Sequence, residues 1–149
     1  MHWGTSLWYF FHTYIEKINS DFFKNNKDII IGHFTSCLAI LPCPMCQIHA
    51  KNNLKKFNIK LINNKEDFKQ FLMTFHNMVN EQLKKPKFNE YELNKLYSKG
   101  NFNRIIINVM TNFTKNLHLS KNLNDSMLRK ITMNNILSFI DLNKKEFSW

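Results

Sequence analysis

The residues most open to chemistry are Cys43 and Cys46, in the stretch Leu41-Pro42-Cys43-Pro44-Met45-Cys46-Gln47-Ile48-His49. A Cys-x-x-Cys pair opening a helix is either a disulfide that opens and closes or half of a metal site. Residues three apart at a helix start share a face, with Cβ atoms roughly 5–6 Å apart. A disulfide bridges such a pair with little backbone movement. Pro44 fits the first helical position, where its missing N–H is not needed. That spacing predicts Cys43 at the N-cap and Cys46 in the first turn, where the positive end of the helix dipole favours a thiolate. The metal alternative is a zinc tetrahedron of Cys43, Cys46, His49 and His76 in a basic, all-helical binding module. It puts two ligands one turn apart in one continuous helix.

Two further clusters would have no use in a zinc protein. In Trp3-Gly4-Thr5-Ser6-Leu7-Trp8-Tyr9-Phe10-Phe11-His12, Trp8 and His12 lie one turn apart on one face. Either alone would be an ordinary core residue. In the stretch from Phe75 to Phe88, His76 and Asn80 stack at i, i+4, with Asn77 and Lys84 on the neighbouring line. Amides and a histidine on an otherwise apolar helix face are costly to bury unless satisfied. Their place beside Val79 and Leu83 makes a ligand an attractive partner for them. Tyr97, nine residues past Phe88, is unremarkable by itself.

The elements that must hold these groups read as helices. Leu7, Trp8, Phe11, Tyr14, Ile15 and Ile18 recur at helical spacing from a cap at Thr5 or Ser6. Tyr9 and Phe10 widen that apolar surface, as in a helix buried on two sides, by a core and by a subunit partner. A second helix spans about Asn25 to Leu41. Cys37 lies on its apolar face and reads as a buried, inert thiol. A third spans Cys43 to about Phe57, and a fourth, after Asn63 and Asn64, Lys65 to Lys84, ended by Pro86. Asn89 caps a shorter fifth helix to Tyr97, with Gly100 at its C-terminus. No segment alternates with period two, so the core is expected to be an all-α four-helix bundle plus a short fifth helix over residues 1–100. A thioredoxin-type pair needs a strand before its helix and fits poorly. Residues 101–149 read as a helical extension. One amphipathic helix runs from Phe102 to Leu117, followed by the isolated His118, and a second from Leu123 to Ile140 is capped by Asn124 or Asp125.

With 149 residues, one domain with a sizeable core is expected. The formal charge of +10 is carried mostly by lysines spread along the chain. A solvated basic surface therefore outranks a nucleic-acid site, and no specific nucleic-acid partner is expected. The three glycines are far apart, which excludes a Gly-x-Gly-x-x-Gly or Walker-type loop. Three cysteines are too few for a secreted disulfide scaffold. No leader pattern and no apolar run near the roughly 20 residues of a membrane span is visible. An intracellular protein, without membrane attachment, is the expectation.

Taken together, the motifs resemble the Erv/ALR family of FAD-linked sulfhydryl oxidases. The Trp-Gly-x-x-x-Trp-x-x-x-His pattern stands at Trp3 to His12, and the Pro-Cys-x-x-Cys pattern at Pro42 to Cys46. The His-Asn-x-Val-Asn-x-x-Leu-x-Lys-Pro-x-Phe pattern stands at His76 to Phe88, with Tyr97 as the following aromatic. The similarity covers about residues 3 to 97 and most resembles the compact oxidases of large DNA viruses, which would place the chain in host cytoplasm or virion. The resemblance implies FAD held between helices, oxidation of protein dithiols (a thioredoxin-like protein among them), and delivery of the electrons through the flavin to oxygen, giving hydrogen peroxide. It also implies a homodimer formed through the first two helices. Cys43 and Cys46 would be catalytic. Gly4, Trp8, His12, Cys46, His49, His76, Asn77, Val79, Asn80, Leu83, Lys84, Lys85 and Tyr97 would contact the cofactor, with Lys84, Lys85 or Lys87 on its diphosphate. Cys43, ahead of the helix proper, would take the attack of substrate thiolate, and Cys46 would face the flavin. The chain departs from the family in two ways. It has no second, shuttle Cys pair, and Leu41 stands where many members have Tyr.

Overall fold

A computed structural model describes residues 2–115 and 123–149. The described residues form eight α-helices and no strand: α1 Trp3–Lys17, α2 Ser20–Asn25, α3 Lys27–Leu38, α4 Pro44–Leu54, α5 Lys65–Gln82, α6 Glu90–Tyr97, α7 Phe102–Phe113 and α8 Leu123–Leu142. The all-α expectation holds. None of these helices is long and apolar enough to cross a membrane.

Four of the eight helix starts follow from an Asn side-chain oxygen that accepts an otherwise unpaired N–H. Asn64 caps α5 in this way, Asn101 caps α7, and Asn89 and Glu92 form a reciprocal capping box on α6. The start of α1 differs from the expected Thr5 or Ser6 cap. His2 is the N-cap, its Nδ1 accepting from the Gly4 N–H at 3.1 Å, so the helix begins at Trp3. The six-residue α2 was not expected. Asn19 caps it and it seats Phe23 in the core, but so short a segment leaves no periodic signal. Helix α3 stops at Leu38 rather than Leu41 because Pro42 restricts the residue before it and the last turn tightens, Ile40 N–H donating to Cys37 O at 3.2 Å. Helix α8 begins at Leu123, so Asn124 and Asp125 lie inside its first turn rather than capping it. The expected continuation of α7 to Leu117, and His118, lie outside the described residues.

The core is dominated by phenylalanine. Phe10, Phe11, Phe34, Phe68, Phe71 and Phe75 from α1, α3 and α5 are all buried, many ring pairs meeting edge to face, such as Phe11 and Phe34 with centroids 5.1 Å apart. The second apolar side of α1, read from sequence as a subunit surface, is covered by α7 of the same chain. Phe102, Ile105, Val109 and Phe113 form its buried stripe. Gly100 allows the approach: a Cβ there would stand 2.7 Å from Ile105 Cδ1. Gly100 does not adopt positive φ, so it serves packing and not the expected left-handed cap. The chain end is pinned to the end of α1. Asn19 N–H donates to Glu146 O at 2.7 Å and Ser148 N–H to Lys17 O at 2.8 Å, and Phe147 packs edge-on against Tyr14 at 5.5 Å. Helix α8 lies against α3, with Arg129, Met133, Ile136 and Ile140 buried.

Candidate active site

The Cys pair sits where its spacing predicts. Cys43 is the N-cap of α4 and Pro44 opens the helix. Cys43 Sγ accepts the Cys46 N–H at 3.3 Å. Both are free thiols, and both are partly exposed. The loop before them is held by Gln47, whose Nε2 donates to Leu41 O at 2.7 Å. The thiolate expected at Cys46 meets an opposing environment. Desolvation, then the hydrogen bond and charge of Cys43, push the Cys46 thiol up to about 12, and the backbone hydrogen bond at the helix start offsets only part of this. While Cys43 is reduced, Cys46 therefore keeps its proton at neutral pH. Cys37 is fully buried, and desolvation pushes its thiol upward too, in keeping with an inert role.

Helices α1, α5 and α6 bring the other predicted aromatic groups into one layer. Trp8 stacks on His76 with centroids 4.0 Å apart and planes 8° apart. His12 stacks on Tyr97 at 4.5 Å and 15°. His12 Nε2 and His76 Nδ1 lie 3.0 Å apart, which joins the two stacks. Burial, then the neighbouring His76, holds His12 well below the usual histidine range. Burial, then the Lys85 ammonium, holds His76 down at about 4. Both rings are neutral at pH 7, so one donates its N–H and the other accepts. A cleft of about 140 Å³ opens beside this layer between α1, α5 and α6, lined in part by the Lys69–Glu16 ion pair at 2.8 Å.

The side-chain N–H groups of Asn77 and Asn80 on α5 are taken up by their own chain. Asn77 Nδ2 donates to Phe88 O and Phe88 N–H donates to Asn77 Oδ1, both at 2.8 Å. Asn80 Nδ2 donates to Pro86 O at 3.0 Å. Helix α5 stops at Gln82, four residues short of Pro86, in a Schellman turn. Lys85 N–H donates to Asn80 O at 2.7 Å and Lys84 N–H to Glu81 O at 3.1 Å. Lys84 has φ 56°, a left-handed conformation without glycine, costing about 1 kcal/mol or more. The turn and clasps fix a loop from which Leu83, Lys84, Lys85 and Lys87 emerge exposed.

The structure thus groups Trp8, His12, His76 and Tyr97, with Asn77 and Asn80 spent on the adjoining loop. Val79 packs partly against the core. Gly4 lies in the first turn of α1, and His49 is exposed on the outer side of α4. Among the described residues no three His, Cys, Asp or Glu side chains converge as a metal site, so the zinc tetrahedron is not assembled. One tie was missed from sequence. Buried Asn53 of α4 and Gln82 of α5 exchange two amide hydrogen bonds, at 3.1 and 3.0 Å, and fasten the cysteine helix to the helix of His76. Asn53 lies on the inward side of α4 with Cys46 and Ala50, and that placement was the available signal.

A dithiol at a helix start within an aromatic-rich helical bundle defines a helix-borne thiol redox protein. Residues 5–98 match the model of the Erv1 / Alr family, and the chain belongs to that family. It is similar to the FAD-linked sulfhydryl oxidase of African swine fever virus (isolate Tick/Malawi), with 32% identity over 70% of this chain and 87% of that protein. The protein of the Pig/Kenya isolate, with the same name, is 32% identical over 67% of this chain and 83% of its own length. No solved structure matches the chain significantly.

Proposed function

We propose that this chain is an FAD-linked sulfhydryl oxidase that converts protein dithiols to disulfides through Cys43 and Cys46. The observation that carries the reading is the paired sulfurs at the start of α4, in a chain whose family match spans both them and the Trp8/His12/His76/Tyr97 layer. The relatives bearing the name FAD-linked sulfhydryl oxidase support the same activity.

The residues present fit FAD. Trp8, half-buried with one ring face on His76, offers an apolar ring, Tyr97 lines the cleft with its ring stacked on His12, and the exposed Lys84, Lys85 and Lys87 offer cations to a diphosphate. Trp3 Nε1 is buried without a partner among the described residues, a donor left over at the start of α1. Asn77 and Asn80 act one step back, by fixing the lysine-bearing loop. The chemistry that FAD supplies when bound is acceptance of two electrons from the reduced pair and their delivery to oxygen as hydrogen peroxide.

The chain's own steps concern the sulfurs. With the pair oxidised, a substrate thiolate attacks Cys43 Sγ, the Cys43–Cys46 bond breaks, and Cys46 leaves as a thiolate. While Cys43 is tied in the mixed disulfide, its hydrogen bond and charge no longer raise Cys46, and desolvation alone opposes that thiolate. A second substrate thiolate then attacks the substrate's own sulfur and releases Cys43. Cys46, again beside a reduced neighbour, takes up a proton. The substrate has lost two electrons and two protons, and the pair has gained them.

Thioredoxin-like proteins are among the dithiols suited to such a site. Pairing of two copies belongs to the reading only through a surface other than the α1 side that α7 covers. A monomeric mass by light scattering would remove it. The activity is tested first by cofactor retention. Protein reconstituted with FAD and desalted should keep a visible flavin band, and colourless protein would refute the reading.

A further inference from the structure

The segment between α3 and α4 has few means of holding itself in place. Pro42 and Pro44 carry no N–H. The carbonyls of Ile40 and Leu41 stand beyond the last turn of α3, where no further helical N–H reaches them. Leu41 and Pro42 are nevertheless buried, and a buried carbonyl left unpaired is costly.

Two side chains supply the missing donors. Gln47, one residue after Cys46, donates from Nε2 to Leu41 O at 2.7 Å. Arg129 of α8 donates from Nη1 to Ile40 O at 3.3 Å. Successive carbonyls are thus held by two helices, one bearing the Cys pair and one from the tail. Arg129 is fully buried, and its Nε and Nη2 have no partner among the described residues. Asp125, one turn earlier, offsets part of the cost of burying the charge. A guanidinium compensated this poorly adds little to stability. The hydrogen bond it does make is to the loop that leads into Cys43.

We infer that Arg129 is a positioning residue of the redox pair: with Gln47 it clamps Ile40 and Leu41 so that Cys43 stays at the N-cap beside Cys46, and the tail thereby sets the reduction potential of the pair. This rests on the reading of Cys43 and Cys46 as the working dithiol. The direction follows from the two redox states. A closed disulfide restrains the loop by itself. In the reduced chain that restraint falls to the clamp and to buried Leu41, which keep Cys43 Sγ at 3.3 Å from the Cys46 backbone nitrogen. Releasing the clamp lets the reduced loop spread and lowers the effective concentration of one thiol at the other. The reduced form gains, and the potential becomes less negative.

The test uses the full FAD-loaded chain, equilibrated without oxygen in dithiothreitol buffers of graded oxidised-to-reduced ratio. Free thiols are trapped by alkylation and counted by mass spectrometry. Arg129→Met should shift the equilibrium about tenfold toward the reduced pair, a rise of about 30 mV for a two-electron couple. Its Tm should not fall, because the poorly compensated charge is gone. Arg129→Gln, too short to reach Ile40 O, replaces it where it does not fold. Gln47→Met should shift the potential in the same direction, and Arg129→Lys, which keeps one donor, should restore most of the wild-type value. Met133→Ala, fully buried on the next turn of α8, should lower stability and leave the potential unchanged. A potential unmoved in Arg129→Met or Gln47→Met would overturn the clamp, as would an equal shift in Met133→Ala. A wild-type pair that opens and closes reversibly but consumes no oxygen refutes the oxidase reading instead, and the potentials still decide the clamp.

Discussion

Replacing Asn77 with Ala removes both hydrogen bonds between α5 and Phe88, each 2.8 Å long. It leaves the Phe88 N–H and C=O without their partner. A typical intramolecular hydrogen bond contributes about 0.5–1.5 kcal/mol net, so the pair contributes about 2 kcal/mol. For a chain of this size that corresponds to a loss of roughly 4–8 °C in Tm. The clasp also anchors the end of the loop bearing Lys84, Lys85 and Lys87, so FAD affinity should fall with it. Scanning calorimetry on FAD-free protein reads the first effect, and equilibrium quenching of flavin fluorescence reads the second. Asn77→Asp keeps an acceptor for the Phe88 N–H but sets a carboxylate against the Phe88 carbonyl, and should be at least as damaging. Thr74→Ala on the exposed side of the same helix, where Oγ1 donates only to Gln70 O, should stay within about 0.5 kcal/mol of wild type. If Asn77→Ala moves Tm no more than Thr74→Ala and leaves FAD affinity intact, the amide does not clasp the loop.

Three further outcomes follow from the geometry. Cys37→Ala should keep dithiol oxidation near the wild-type rate with a stability loss of about 1 kcal/mol, read by turnover and urea denaturation; a rate as low as that of an active-pair variant would contradict its inert role. Cys43→Ser removes the Cys43 charge that helps raise Cys46, so the Cys46 thiol should titrate below about 12, followed by thiolate absorbance or the pH dependence of alkylation. An unchanged or higher value would mean that desolvation alone sets it. Because burial holds His76 at about 4 against a usual 6.5 and lowers His12 as well, the unfolded chain binds more protons than the folded one through that window. Stability of FAD-free protein should therefore fall as pH drops from about 6.5 to 4. His76→Gln should weaken that dependence, with His12 and the half-buried His33, which burial also holds down at about 4, supplying the rest; a slope unchanged in His76→Gln would contradict the neutral pair.

The parts of the site that were legible in the sequence are those fixed by local spacing. The N-cap role of Cys43, the joint placement of Trp8 and His12, and the Asn89 cap with Tyr97 at the far end of its helix all depend on residues within one or two turns. Asn77 and Asn80 show where such reasoning stops. Their polarity on an apolar face was plain, but their partners are backbone groups at Pro86 and Phe88, reached only because the helix ends early at Gln82. Nothing local announces a left-handed Lys84, since that conformation usually falls to glycine. The surplus of aromatics on α1 correctly indicated two buried sides. Which chain covers the second side is a non-local fact, settled by α7 and Phe147. Arg129 was equally hidden: a single arginine between Leu128 and Lys130 reads as solvated surface until α8 is placed on α3.

The central claim is that electrons leave the substrate through the Cys43–Cys46 pair. It is tested most directly by oxygen uptake with dithiothreitol as the donor, in FAD-loaded wild type, Cys43→Ser and Cys46→Ser proteins of equal flavin content. The account predicts steady oxygen consumption with matching peroxide in wild type and loss of efficient turnover in both variants. Full turnover in either variant would show that the pair is not the route and would contradict the account.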